Sequence, residues 1–119
     1  MPKIYEYFGF IFLFYANDHE PIHVHVQYAE YESKVTFIYD NGALVSLEFA
    51  NVAGRQPIPD QKHQDIINFL KVYHNHIVTK WLQFYVYKQK VQSEKITKKV
   101  KPWNPHDLPQ TQTLDKYNF

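Results

Sequence analysis

Three histidines within seven residues, His19, His23 and His25, form the densest group of chemically versatile side chains in the sequence, and Asp18 and Glu20 flank the first of them. His23 and His25 are two positions apart. In an extended chain they share a face, with Cα atoms about 6–7 Å apart. That spacing suits three kinds of chemistry. With His19, or with a nearby carboxylate, the pair can ligate zinc or another divalent metal. Without any cofactor, one imidazole can take a proton from a ribose hydroxyl while the other donates one to the leaving oxygen, which is metal-independent ribonuclease chemistry with His23 and His25 as the catalytic pair. Such an enzyme also needs cations on the phosphate, and Lys34 and Arg55 are candidates. The third role is structural: rings bonded to turn backbone, paired with Glu30, Glu32 or Glu48, or buried against a partner. Spacing alone is compatible with all three.

The elements that position these residues follow from periodicity. Lys3 to Phe8 reads as a strand, Gly9 as a turn, and Phe10 to Tyr15 as a strand apolar at every position. Asn17 to Pro21 is a turn composition. His23 to Tyr28 alternates, with Val24, Val26 and Tyr28 on one face and His23, His25 and Gln27 on the other. Ser33–Tyr39 and Ala43–Phe49 form a hairpin about Asp40-Asn41-Gly42, because Asn-Gly supplies the positive φ a tight turn needs. After a Gly- and Pro-containing loop, Ile66, Ile67, Leu70, Tyr73, Ile77, Trp81, Leu82 and Tyr85 recur at helical spacing. They predict a helix from about Asp60, as N-cap, to about Tyr87, with Lys62, Lys71, Asn75 and Lys80 away from its apolar stripe. The expected fold is α+β: a small antiparallel sheet of four to five strands packed against one long helix over residues 1–88. A basic, proline-containing C-terminal tail over 89–119 follows.

Composition narrows the function classes. The 119 residues, 45% hydrophobic and 18% aromatic, suffice for one domain. The absence of cysteine removes disulfide frameworks, thiolate metal sites and cysteine nucleophiles. No P-loop, dinucleotide fingerprint or Ser-containing nucleophile elbow is present. The longest apolar run, Phe8 to Ala16, is too short to span a bilayer. The start of the chain lacks a signal-peptide pattern, so a soluble, cytoplasmic protein without membrane association is expected. Charge is polarised: residues 1–60 carry three basic and eight acidic residues, and residues 61–119 ten lysines and four acids. The lysine run from Lys88 to Lys101, with Lys98 and Lys99 at its centre and Tyr87 and Trp103 nearby, reads either as a solvated tail or as an arm on RNA or DNA.

The opening Met1-Pro2-Lys3-Ile4, Phe14-Tyr15, the run Asn17-Asp18-His19-Glu20-Pro21-Ile22-His23-Val24-His25-Val26 and the helix reaching Trp81 together resemble the bacterial domain of unknown function 4160 family. The resemblance covers roughly residues 1–88. Many relatives carry further prolines where this chain has Glu20 and Ile22. The family's members are small prokaryotic proteins often encoded beside another small protein, in pairs suspected of being toxin–antitoxin modules. The resemblance therefore implies a protein partner encoded nearby and a partner-binding role in a two-gene, toxin–antitoxin-like module. Candidate binding residues are Asp18, His19, Lys34, Arg55, Lys98 and Lys99. No cofactor is expected on this reading.

Overall fold

The computed structural model describes residues 2–15 and 21–101. The strands are β1 (Lys3–Tyr7), β2 (Phe10–Leu13), β3 (His23–Tyr28), β4 (Tyr31–Asp40), β5 (Ala43–Asn51) and β6 (Glu94–Ile96), and the helix is α1 (His63–Trp81). They form one six-stranded sheet in the order β5-β4-β3-β2-β1-β6. The first five strands are antiparallel neighbours in chain order. Asn41 (φ 52°) and Gly42 (φ 82°) turn β4 into β5 as the Asn-Gly pair predicts.

The sheet differs from expectation in two respects. It has six strands rather than four to five, and β6 runs parallel to β1, so the sheet is mixed. The extra strand comes from the lysine-rich segment beyond residue 88, where Glu94, Lys95 and Ile96 pair with Tyr5, Glu6 and Tyr7. The second strand is also shorter than its apolar run, ending at Leu13.

One face of the sheet is covered by α1. Phe69, fully buried, is the centre of this layer. Its ring lies 4.6 Å from that of Tyr7, 4.7 Å from Phe12 and 4.5 Å from Tyr73, centroid to centroid. Ile66, Leu70, Ile77 and Trp81 continue the contact on the helix, and Val24, Val26, Val35 and Phe37 on the sheet. Of the predicted stripe, Ile67 is only half-buried and Leu82 is exposed, because the buried arc runs through Phe69 instead.

The helix ends are corrected too. Asp60 does not cap: Asp60–Lys62 is a 3₁₀ turn after Pro59, and α1 begins at His63 without a side-chain cap. His63 instead bonds the Ile58 carbonyl through Nε2 at 3.1 Å. Beyond Trp81 the coil widens to a π turn over Leu82–Val86 and stops at Lys88 in a left-handed conformation (φ 57°). Lys80, expected in solvent, is buried. Its ammonium donates to the Gln92 carbonyl at 2.8 Å, reaches Glu94 at 3.3 Å and lies 5.3 Å from the centre of the Tyr5 ring. This lysine anchors the segment that supplies β6.

Candidate functional site

The face of the sheet opposite α1 carries the histidines. Alternation along β3 puts His23, His25 and Gln27 there, and the register sets Thr36, Lys34 and Glu32 of β4 directly opposite them. Both rings are buried, each 3% exposed.

Glu32 is the focus of this face. Its side chain is completely buried. It accepts hydrogen bonds from the Tyr15 hydroxyl, from Gln27 Nε2 at 3.2 Å and from Arg55 at 2.9 Å, and it faces His25 Nδ1 at 3.2 Å. An isolated buried carboxylate costs several kcal/mol of lost hydration, so burial requires partners of this kind. Four donors match the roughly four lone-pair positions a carboxylate offers. The Tyr15 ring stacks on His25, 3.8 Å between centroids at an interplanar angle of 10°.

Arg55 reaches the cluster through a chain reversal. Gly54 takes φ 79°, and the Arg55 amide bonds the Val52 carbonyl. The loop then runs beside the start of β4, where the Glu32 amide donates to the Gln56 carbonyl at 3.0 Å. Arg55 also donates to the Glu30 carbonyl at 3.3 Å, so the guanidinium closes the end of the β3–β4 hairpin.

The hydrogen-bond partners set the histidine tautomers. His23 Nδ1 lies 2.7 Å from the Pro21 carbonyl, which can only accept, so this nitrogen carries the proton. His25 Nδ1 faces a carboxylate and likewise donates. In the neutral form of either ring the lone pair therefore lies on Nε2. The two ring centroids are 5.5 Å apart.

A second polar group lies on the helix side. The Tyr39 hydroxyl and His74 Nδ1 are 3.0 Å apart. Burial pushes the Tyr39 hydroxyl up to about 12, and burial together with nearby His76 holds His74 below the ordinary imidazole value.

Of the residues singled out in the sequence, the structure brings His25 and Arg55 together on Glu32, with His23 next to the His25 ring and Lys34 beside His25 in register. Asp18, His19, Glu20 and Trp103 lie outside the described residues. Among the described residues no group of three His, Asp or Glu side chains is arranged to hold a metal ion. Lys98 and Lys99 follow β6, and β6 is three strand spacings from β3, about 14 Å. They form a separate surface. Tyr15 and Gln27, both bonded to Glu32, are not among the candidate site residues of the sequence. The alternation along β3 is the signal that places Gln27 on the histidine face, whereas Tyr15 is marked by the family resemblance alone.

The family model for a domain of unknown function (DUF4160) matches residues 9–82, which contain β2 to α1 and every side chain of the Glu32 cluster. The chain belongs to this family. No curated protein and no solved structure matches it significantly. Among the described residues no helix is long and apolar enough to cross a membrane.

Proposed function

We propose that this DUF4160 domain is the partner-binding component of a two-gene, toxin–antitoxin-like module, and that β5 is the edge on which its protein partner docks. The observation that carries the reading is the character of that edge. β5 is nine residues long, ends the sheet, contains neither Lys nor Pro, and leaves Val45 57% exposed. Strands that must stay unpaired are ordinarily blunted by such residues. An extended segment of the partner adds to β5 as a further strand, held by main-chain hydrogen bonds. Asp40 and Glu48 are exposed along this hairpin, which favours a segment carrying Lys or Arg. On this reading the Glu32 cluster is a brace. It fixes the β3–β4 hairpin and the returning loop, and so holds the β4–β5 hairpin in place.

The test is co-expression with the product of the adjacent gene, followed by size-exclusion chromatography. Val45→Lys should abolish co-elution while the chain stays folded, and His23→Gln should leave co-elution intact. Loss of the complex in His23→Gln with an unchanged fold, or its persistence in Val45→Lys, contradicts the proposal.

A second reading has one observation in its favour. Glu32 orients His25 through Nδ1, as a carboxylate orients a general-base imidazole, and His23 is the adjacent second ring. A metal-independent ribonuclease using His23 and His25 should cut RNA in chelator with a bell-shaped pH profile. Intact RNA across pH 5–8 would remove it.

A further inference from the structure

The edge of the sheet opposite β5 has the contrary charge. Lys88, Lys90, Lys95, Lys98, Lys99 and Lys101 are all exposed within the last fourteen described residues. The acid within this run, Glu94, is already engaged by Lys80 at 3.3 Å, and Glu6, the register neighbour of Lys95, is paired with Lys3.

These lysines are displayed on the fold and do not form a detached arm. β6 pairs with β1, Lys80 holds the Gln92 carbonyl, and the Val100 amide donates to the Tyr7 hydroxyl at 2.9 Å. Val91, Ile96 and Val100 turn inward against the core, which leaves the intervening lysines facing out.

An exposed aromatic ring stands beside them. Phe8, at the turn between β1 and β2, is 49% exposed and adopts φ 44°. A bulky residue in the left-handed region costs roughly 1–2 kcal/mol, and Gly or Asn ordinarily fills such a turn position. Phe8 packs edge-on against Tyr7 at 5.1 Å between centroids and leaves about half of its surface in solvent. Lys99 Nζ lies 4.6 Å from the centre of its ring and 5.3 Å from that of Tyr7. Between this turn and β6 runs an open cleft of about 360 Å³, lined by Phe8, Gly9, Lys95 and Thr97 among others. At the other end of the lysine run Tyr87 is 63% exposed.

We infer that this edge binds single-stranded nucleic acid, with the backbone phosphates along Lys95, Lys98, Lys99 and Lys101 and an unpaired base stacked on Phe8. Lysines that neutralise phosphates give affinity without sequence preference, and an aromatic face adds stacking that only an unpaired base can use. The strained, solvent-facing position of Phe8 favours this ligand over other polyanions, because a phosphate or an acidic peptide gains nothing from the ring face.

The test is fluorescence anisotropy of a labelled 15-nucleotide oligouridine with the full chain. If four phosphates are neutralised, the logarithm of affinity should fall with that of salt with a slope of about −3. The quadruple variant K95Q/K98Q/K99Q/K101Q should flatten that slope to near zero. Phe8→Gly, which suits the positive φ and therefore folds, should weaken binding roughly tenfold with the slope unchanged. Three results overturn the inference: unchanged affinity in Phe8→Gly, equal or tighter binding of a duplex of the same length, or lysine-dependent binding to phosphatidylserine vesicles without oligonucleotide binding.

Discussion

Removing the Glu32 carboxylate should destabilise the domain more than removing any one of its donors. In Glu32→Ala the Tyr15 hydroxyl, the His25 Nδ1–H and the Gln27 amide each lose the carboxylate that accepts from them. Each such group costs about 1–3 kcal/mol. Arg55 adds little, because its side chain is 37% exposed and water replaces the carboxylate there. Partial hydration of the gap limits the total to about 3–5 kcal/mol. Arg55→Ala takes one donor of four and should cost about 1 kcal/mol. With a urea m-value of about 2 kcal/mol/M, Glu32→Ala lowers the unfolding midpoint by about 2 M and Arg55→Ala by about 0.5 M. Glu32→Gln, which keeps the shape but aims an amide at other donors, should fall between them. The Glu32→Ala/Arg55→Ala double variant should lose less stability than the sum of the two single changes, since the Arg55–Glu32 bond is already gone in Glu32→Ala and only the contact with the Glu30 carbonyl is left to remove. A Glu32→Ala midpoint within 0.5 M of the parent, or one above that of Arg55→Ala, would refute the account of this cluster as a brace.

Other outcomes follow from the same physics. Phe69→Ala removes the ring at the centre of the helix–sheet layer and should cost about 3–5 kcal/mol by urea unfolding; a loss below 1 kcal/mol would mean the layer is not packed as described. Lys88→Gly, at φ 57°, should stabilise the domain by about 0.5–1 kcal/mol in thermal unfolding, and a lowered midpoint would contradict the left-handed termination. The Tyr39–His74 pair sets a pH dependence. The lowered His74 value means the unfolded chain takes up this proton first, so the pair's stability is complete above the unfolded value near 6.5 and declines as pH falls through the folded value. The raised Tyr39 value acts at the other end, with stability present below pH 10 and lost between 10 and about 12. His74→Asn should flatten the acid limb alone, which pH-dependent denaturation checks.

Local pattern reveals some of this molecule and not the rest. β3 lies where alternation puts it, and the Asn-Gly hairpin forms because its turn is dictated within four residues. The helix stripe is right in its period and wrong in its centre, since Phe69, which the stripe omits, is the residue that meets Tyr5, Tyr7, Phe12 and Tyr73. β6 has no local signal. Three residues inside a lysine run carry no periodicity, and their pairing depends on β1 lying some ninety positions earlier. Lys80 is indistinguishable from a solvated helix lysine until Gln92 and Tyr5 surround it. The same holds at the candidate site. Glu32 is one carboxylate among several in sequence, and only the chain reversal at Gly54 brings Arg55 to it.

The most direct measurement of the central claim is amide hydrogen exchange across Ala43–Asn51 in the chain alone and in the co-expressed complex. Docking on the edge predicts that β5 amides, open to solvent on one side in the free chain, become protected by tenfold or more on complex formation, and that Val45→Lys abolishes the change. Protection that appears around His23 and His25 while β5 stays unchanged would contradict the account and move the functional surface to the histidine face.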